Sequence, residues 1–254
     1  MPRAVHTFAN GVRVYDDHLL EEQRRRYEKR NVHEAEEEDI FVDLIRRLPP
    51  DGCFVDVGAA IGYYLILARK LAPRLVIHAV EPLQRHRAFL RENATLNGLT
   101  SDDFIVHSEG LTSSSGSESF MDRGYGSRIP RSDQEKRISF STRWKRFLER
   151  LGLRQPKNRS PIVTIPTITL DLLIRRIGRP VDLLQMDVQG LEVEVLKGGA
   201  EAMASGDVRT FLIGTHSLPI HQECVARLRA SGYTIEIDQP DTKEQPDGII
   251  VARK

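Results

Sequence analysis

Cysteine is scarce in this chain. Cys53 and Cys224 are the two among 254 residues. One lies in an apolar run and the other in a helical pattern, which suggests neither a disulfide framework nor a zinc site. Buried free thiols in a reducing cytoplasm are the expectation. No apolar run approaches the roughly 20 residues that a membrane span requires. The first residues also lack the basic, apolar, small-residue order of a signal peptide. What remains is the size of one α/β domain, or of one domain carrying an insertion. Net charge is scant too, +1 overall, but it conceals an asymmetry. Residues 122–160 hold twelve Lys/Arg against four Asp/Glu, a local charge of +8, which leaves 25 against 32, or −7, elsewhere. A weakly acidic core therefore bears one strongly basic insert, a signal about partners rather than about fold.

Also missing is Gly-x-Gly-x-x-Gly, the spacing that accommodates the pyrophosphate of a dinucleotide. In its place stands Cys53-Phe-Val-Asp-Val-Gly-Ala-Ala-Ile-Gly62. An apolar run interrupted by Asp56 closes on Gly58 and passes into a helical pattern near Gly62. That is a buried strand, a tight turn and a helix start, which surround a small ligand with backbone N–H groups and one acid. Glycine falls where the chain must turn sharply, at Gly58, and where something must approach the first helical turn closely, at Gly62. A second apolar run, Leu75–Val80, ends on Glu81-Pro82, with a carboxylate placed to accept hydrogen bonds from a ribose diol. An acid and a Gly turn after one strand, then an acid after the next, read as an S-adenosylmethionine site. The alternative is an ordinary strand–helix turn without a ligand.

Periodicity predicts a hairpin (His6–Ala9 and Val12–Tyr15) around Asn10-Gly11, then a mostly helical 17–48 with Ile40, Phe41, Leu44, Ile45 and Leu48 on one face. From there the pattern alternates. Strands are expected at Phe54–Val57, Leu75–Val80, Phe104–His107, Ile162–Ile168, Val181–Met186 and Thr210–Thr215. Helices are expected at Ile61–Leu71, Leu83–Leu96, Leu170–Ile177, Leu191–Met203 and Ile220–Ala230, and Tyr233–Ile237 with Gly248–Ala252 closes the chain as a hairpin. Such alternation implies a doubly wound, mostly parallel sheet with one antiparallel strand near an edge and a ligand at the strand carboxyl ends. Within the insert, Trp144, Phe147, Leu148 and Leu151 fall on one helical face. That stripe suits a lid over an acceptor, an anionic membrane surface, or plain packing on the domain.

Several blocks in order carry a resemblance. They are Phe54-Val-Asp-Val-Gly-Ala-Ala-Ile-Gly-Tyr-Tyr64, Glu81-Pro82, Asn93 to Asn97-Gly98, Leu170-Asp171, Met186-Asp-Val-Gln-Gly-Leu-Glu192 with Leu196-Lys-Gly-Gly199, and Gly214-Thr-His216. Over roughly residues 50–253, apart from about 122–160, the chain resembles the FkbM-type methyltransferases. These use S-adenosylmethionine to methylate hydroxyls, often on sugars or polyketides. The resemblance implies a seven-stranded Rossmann-like methyltransferase sheet over 51–254, preceded by a helical cap segment, 1–50. Two positions depart from the family: Ala60 stands where Asn is usual, and Gln189 where a carboxylate is usual. No family role is carried to position 189.

Methyl transfer from a sulfonium is an in-line displacement, and an unactivated alcohol needs a base to lose its proton as it attacks. Asp187 closes a strand at the ligand crevice and can be that base, an orienting group or a metal ligand. It can equally be a helix N-cap. Glu192 can be catalytic or merely favourable to the helix dipole. His216 closes the next strand, and its ordinary pKa of about 6.5 suits general-base work, unless a backbone carbonyl simply satisfies it. His216 and His221 do not make a zinc site, whereas a hard cation at Asp187 remains open. For the cofactor, Asp56, Gly58 and Gly62 serve the methionine end and the turn, Glu81 the ribose, and Glu109 approaches the adenine. Tyr63 borders the pocket or packs in the core.

The leading expectation is a cytoplasmic O-methyltransferase acting on a carbohydrate or glycosylated natural product, with a small-molecule or glycan acceptor that is anionic or lipid-linked. A nucleic-acid methyltransferase is the alternative, prompted by the basic insert. Against it, Asp187-Val-Gln-Gly190 is not the Asn/Asp-Pro-Pro-aromatic motif of base-amino methylation.

Overall fold

The computed structural model describes residues 2–121, 162–241 and 247–254, so the Trp144 stripe lies outside the described residues. The first elements are an antiparallel pair, β1 (Val5–Thr7) and β2 (Arg13–Tyr15), joined through Asn10 and Gly11. Gly11 has φ +79°, the left-handed geometry that such a turn requires. The helical stretch that follows is two helices, α1 (Glu21–Lys29) and α2 (Ala35–Arg47). Residues 30–34 break it by docking on the hairpin: Ala9 N donates to Asn31 O at 3.0 Å, and Asn31 Nδ2 donates to Thr7 O at 2.9 Å.

The core runs β3 (Cys53–Val57), α3 (Tyr63–Leu71), β4 (Val76–Val80), α4 (Gln84–Leu96), β5 (Ile105–His107), β6 (Gly110–Leu111), β7 (Gly116–Met121) and β8 (Ile162–Ile168). It continues through α5 (Leu170–Ile177), β9 (Leu183–Met186), α6 (Glu192–Lys197), α7 (Ala200–Ser205), β10 (Thr210–Thr215), α8 (Leu218–Ala230), β11 (Thr234–Gln239) and β12 (Gly248–Arg253). Seven strands form one sheet in the order β11-β12-β10-β9-β3-β4-β5. Its five central and right-hand strands are parallel, while β12 is antiparallel to both neighbours. This is the α/β, Rossmann-like methyltransferase sheet that the alternation and the resemblance imply. None of the helices among the described residues is long and apolar enough to cross a membrane.

All five residues of β3 are buried, as expected for a strand covered on both faces. Alternate side chains feed two apolar clusters. Phe54 joins Leu183 and Leu212 beneath Phe8, Tyr27 and Phe41 of residues 1–50. Val55 and Val57 join Leu184, Ile213, Leu170 and Leu196 on the other face. The N-terminal segment thus shares its core with the sheet. Asn93, fully buried on α4, fastens it further by accepting from Tyr15 N at 3.0 Å and donating to Ile61 O at 3.0 Å.

Two expectations change. The helix expected over 191–203 is interrupted at Gly198-Gly199. A Cβ on Gly198 would lie 2.3 Å from Thr112 O, and one on Gly199 would lie 2.6 Å from Leu170 Cδ2, so the chain bends there to let those neighbours in. The strand over 162–168 belongs not to the main sheet but to a second, three-stranded one, β6-β8-β7. In it β7 and β8 are antiparallel, with Met121 opposite Ile162.

Candidate active site

β3 lies between β4 on one side and β9 on the other, and the chain reverses direction across the sheet at that point. Strand carboxyl ends at such a switch diverge and leave a crevice. The turns after β3 and β9 fill its floor, and two cavities open from it, of about 650 Å³ and about 640 Å³. Gly58, Ala60, Asp187 and Gln189 line both.

The first cavity has apolar walls, among them Val80, Leu83, Leu111 and Ile165, with Glu81 as its buried acid. Glu81 Oε2 accepts from Ala60 N at 3.0 Å, and Oε1 accepts from Leu83 N at 2.8 Å. Each carboxylate oxygen has two lone pairs, so the backbone fixes the group and still leaves acceptor capacity facing the cavity. Apolar walls around one oriented acid fit the adenosyl part of S-adenosylmethionine.

The second cavity takes Asp56 and Gln185 from the sheet, and His33 and Glu34 from the loop between α1 and α2. Asp56 is 4% exposed, and its Oδ2 has no hydrogen-bond partner. Burial, reinforced by the charges of Glu81 and Asp187, pushes its carboxyl up to about 7. A buried carboxylate oxygen left without a partner fits a cationic group such as the methionine ammonium.

Between the cavities Asp187 meets His216. The imidazole Nδ1 is 2.8 Å from Glu192 Oε1, which also accepts from Gly190 N at 2.9 Å. Nε2 is 3.3 Å from Asp187 Oδ1 and 3.6 Å from Asp247 Oδ1. Burial alone would lower the His216 pKa, but the Glu192 hydrogen bond and the Asp187, Glu192 and Asp247 charges outweigh it and raise it to about 9. For Asp187, burial is the largest influence, and the nearby carboxylates of Glu34, Asp247 and Glu192 add to it. His216 opposes them, and the net value is about 7. Asp187, Glu192 and His216 also form the one trio among the described residues close enough to hold a metal ion, with ligand atoms within 4.8 Å of one another. An imidazolium among carboxylates answers the same electrostatic demand.

The remaining expected residues fall elsewhere. Gly58 (φ +90°) is the tight turn, and a Cβ there would stand 2.1 Å from Asp187 O. Gly62 (φ +80°) lines neither cavity. What approaches it is Leu90 of α4, whose Cγ would be 2.9 Å from an added Cβ. Glu109 also lines neither, and pairs with Arg176 at 2.7 Å. Tyr63 does both things expected of it, lining the second cavity while donating to Glu38 Oε2 at 2.5 Å. His221 serves structure, lying 2.8 Å from Thr215 Oγ1 and 2.9 Å from Asp238 Oδ1.

Glu34, Gln185 and Asp247 carry no local motif by which the sequence would reveal them. Ala60 and Gln189, the two departures from the family pattern, are the two non-glycine residues with positive φ among the described residues, +45° and +55°. Such φ values are uncommon outside Gly, Asn and Asp. Here they aim Ala60 N at Glu81 and let Gln189 Nε2 donate to Asp187 Oδ1 at 3.0 Å.

Residues 56–247 match the family model of the methyltransferase FkbM domain. A protein of Jannaschia sp. (strain CCS1) that carries a provisional methyltransferase name is 36% identical over 63 residues, 25% of this chain and 22% of that one. Among solved structures, methyltransferase FkbM of Methylobacillus flagellatus KT is similar at TM-score 0.55 and 16% identity, over 81% of this chain and 44% of its own. Precorrin-6y C5,15-methyltransferase of Geobacter metallireducens GS-15 is similar at TM-score 0.50 and 14% identity, over 89% and 91%. At these identities the likeness is one of fold. The match spans about a fifth of the Jannaschia protein and under half of the Methylobacillus chain.

Proposed function

The chain belongs to the FkbM methyltransferase family, whose methyl donor is S-adenosylmethionine, and from that premise we propose that it methylates a hydroxyl of a carbohydrate or glycosylated natural product. The observation that carries this reading is the Asp187–His216 pair, whose Asp187 lines both an apolar cavity with one buried acid and a polar one. When bound, the cofactor would supply a sulfonium methyl carbon, to which the acceptor oxygen bonds as the C–S bond breaks in line and the neutral thioether leaves. Glu81, Gly58 and Asp56 would hold its ribose, turn and methionine end. The acceptor oxygen must lose a proton during attack, and the pair is suited to take it. With apparent values of about 7 and about 9, the pair keeps its first proton at neutral pH and is about half loaded with the second, so the fraction with Asp187 as carboxylate can accept one. Glu192 fixes the imidazole through Nδ1, which turns Nε2 toward Asp187. A cytoplasmic reaction agrees with two buried free thiols, Cys53 and Cys224.

The test is transfer of isotope from methyl-labelled cofactor into fractionated cell extract, with the product identified by mass spectrometry. A methyl ether on a sugar supports the reading. A methylated base, amine or carboxylate as the product would overturn it. Run with a chelator present, the assay should proceed unchanged. Loss of turnover restored by one divalent ion would turn the trio into metal ligands.

Cofactor binding has its own expectation. Glu81→Ala should weaken S-adenosylhomocysteine binding by about 1–3 kcal/mol, through lost charge-assisted hydrogen bonds. It also frees Ala60 N and Leu83 N. Calorimetry on the folded variant checks this, and unchanged affinity would remove Glu81 from the ribose role.

A further inference from the structure

The second cavity holds more negative charge than the cofactor accounts for. Three of its lining residues are carboxylates: Glu34, Asp56 and Asp187. Glu37 stands behind them and accepts from Gln185 Nε2 at 2.7 Å, which commits the amide nitrogen and leaves Gln185 as an acceptor toward the cavity. Gln185 is 1% exposed, and its Oε1, like Asp56 Oδ2, has no partner. Burial pushes Glu34, Glu37, Asp56 and Asp187 all upward, as expected of acids short of counter-charge.

The cations nearby do not restore the balance. His33 is kept neutral by burial, with its pKa near 3. Arg26 is 3.9 Å from Glu34 and half exposed. His216 is beside Asp187 but also faces Glu192 and Asp247, so it offsets at most one of the three. S-adenosylmethionine brings a sulfonium and an ammonium but also its own carboxylate, a net charge of +1. Asp56, at the end of β3, is suited to that ammonium. Glu34 is different. It comes from the loop before α2, outside the matched residues 56–247, and feels the charges of Asp247 and His216 at the acceptor side.

Resting on the reading above, we propose that the acceptor carries an ammonium group near the hydroxyl to be methylated, as an amino sugar does, and that Glu34 anchors it. A charge-assisted hydrogen bond in a cavity of low dielectric gives both affinity and orientation. The same carboxylates repel a phosphate, so the anionic acceptor expected from the basic insert is not the part that enters here.

The experiment uses the full chain loaded with S-adenosylhomocysteine, so that the cofactor's own ammonium is already in place. Binding of D-glucosamine, D-glucose and D-glucose 6-phosphate is compared by ligand-observed NMR. Glucosamine should bind about tenfold more tightly than glucose, and the phosphate more weakly than either. Glu34→Gln should erase the preference while S-adenosylhomocysteine affinity stays unchanged, and Glu34→Ala serves as a second variant should Glu34→Gln fold poorly. Equal binding of the three sugars, preference for the phosphate, or no measurable glucosamine binding to loaded enzyme would overturn the proposal. So would a glucosamine preference that survives both substitutions. Failure of the chain to bind S-adenosylhomocysteine at all would instead sink the methyltransferase reading on which it rests.

Discussion

Asp187→Asn should lower turnover by about 10²–10⁴-fold while cofactor affinity stays nearly intact. The amide keeps the shape and the chance of a contact with His216, but it cannot accept a proton. The wild-type rate should climb with pH through about 7, as the carboxylate sheds its resting proton. In the variant that limb should disappear. Wild-type turnover in folded Asp187→Asn would leave alignment as the main source of rate and remove the pair from the mechanism. His216 supplies a companion test in stability. Its folded pKa, about 9, lies above the ordinary value of about 6.5. The native state therefore binds the proton more tightly, and the stabilisation is fully present below pH ~6.5 and lost as pH rises through ~9. In His216→Ala the melting temperature should fall less between those limits than in the wild type. Parallel curves would mean that the imidazole is not held as a cation.

The largest structural effect is expected at Gly58. An alanine Cβ would sit 2.1 Å from Asp187 O, at φ +90°. Both atoms are tied to backbone, so no side-chain rotation relieves the contact, and β3 and β9 must part where the two cavities meet. Left-handed strain alone costs about 1–2 kcal/mol, and forced separation of two central strands raises the total to the ~4 kcal/mol or more that marks exceptional substitutions. For a domain of this size that is a fall in Tm on the order of 10 °C. Gly98→Ala is the control, because Gly98 has φ +81° but no atom within 4 Å of an added Cβ. If both variants melt together, the close crossing at Gly58 is unimportant.

How much of this was legible in sequence depends on range. β3, β4, β9 and β10 were readable because strands covered on both faces are mostly apolar runs, and their ends could be placed by the acids and histidine that close them. Glu81, Asp187 and His216 meet at the crevice because parallel strands all end on one side. Readings that depended on a distant neighbour fared otherwise. Gly62 does signal a close approach, but only the packed chain reveals Leu90 as the visitor. Glu109 lines neither cavity and pairs with Arg176, far along the chain. The interruption at Gly198 is set by the carbonyl of Thr112, which no local pattern encodes. Glu34 sits in a run of charges that reads as a solvated helix, and its burial exists only because the N-terminal segment folds back over the sheet.

The pairing of Met121 with Ile162 has a consequence for the chain between them. Two antiparallel strands bring the chain out and take it back at neighbouring positions, so the forty or so residues between them close a loop on adjacent ends. Closing a loop costs only ~0.6 kcal/mol for each doubling of its length. Growing from five residues to forty is three doublings, a difference of about 2 kcal/mol. A change in the length of the +8 segment is therefore, as far as chain closure goes, nearly free for the sheet that holds Glu81, Asp187 and His216.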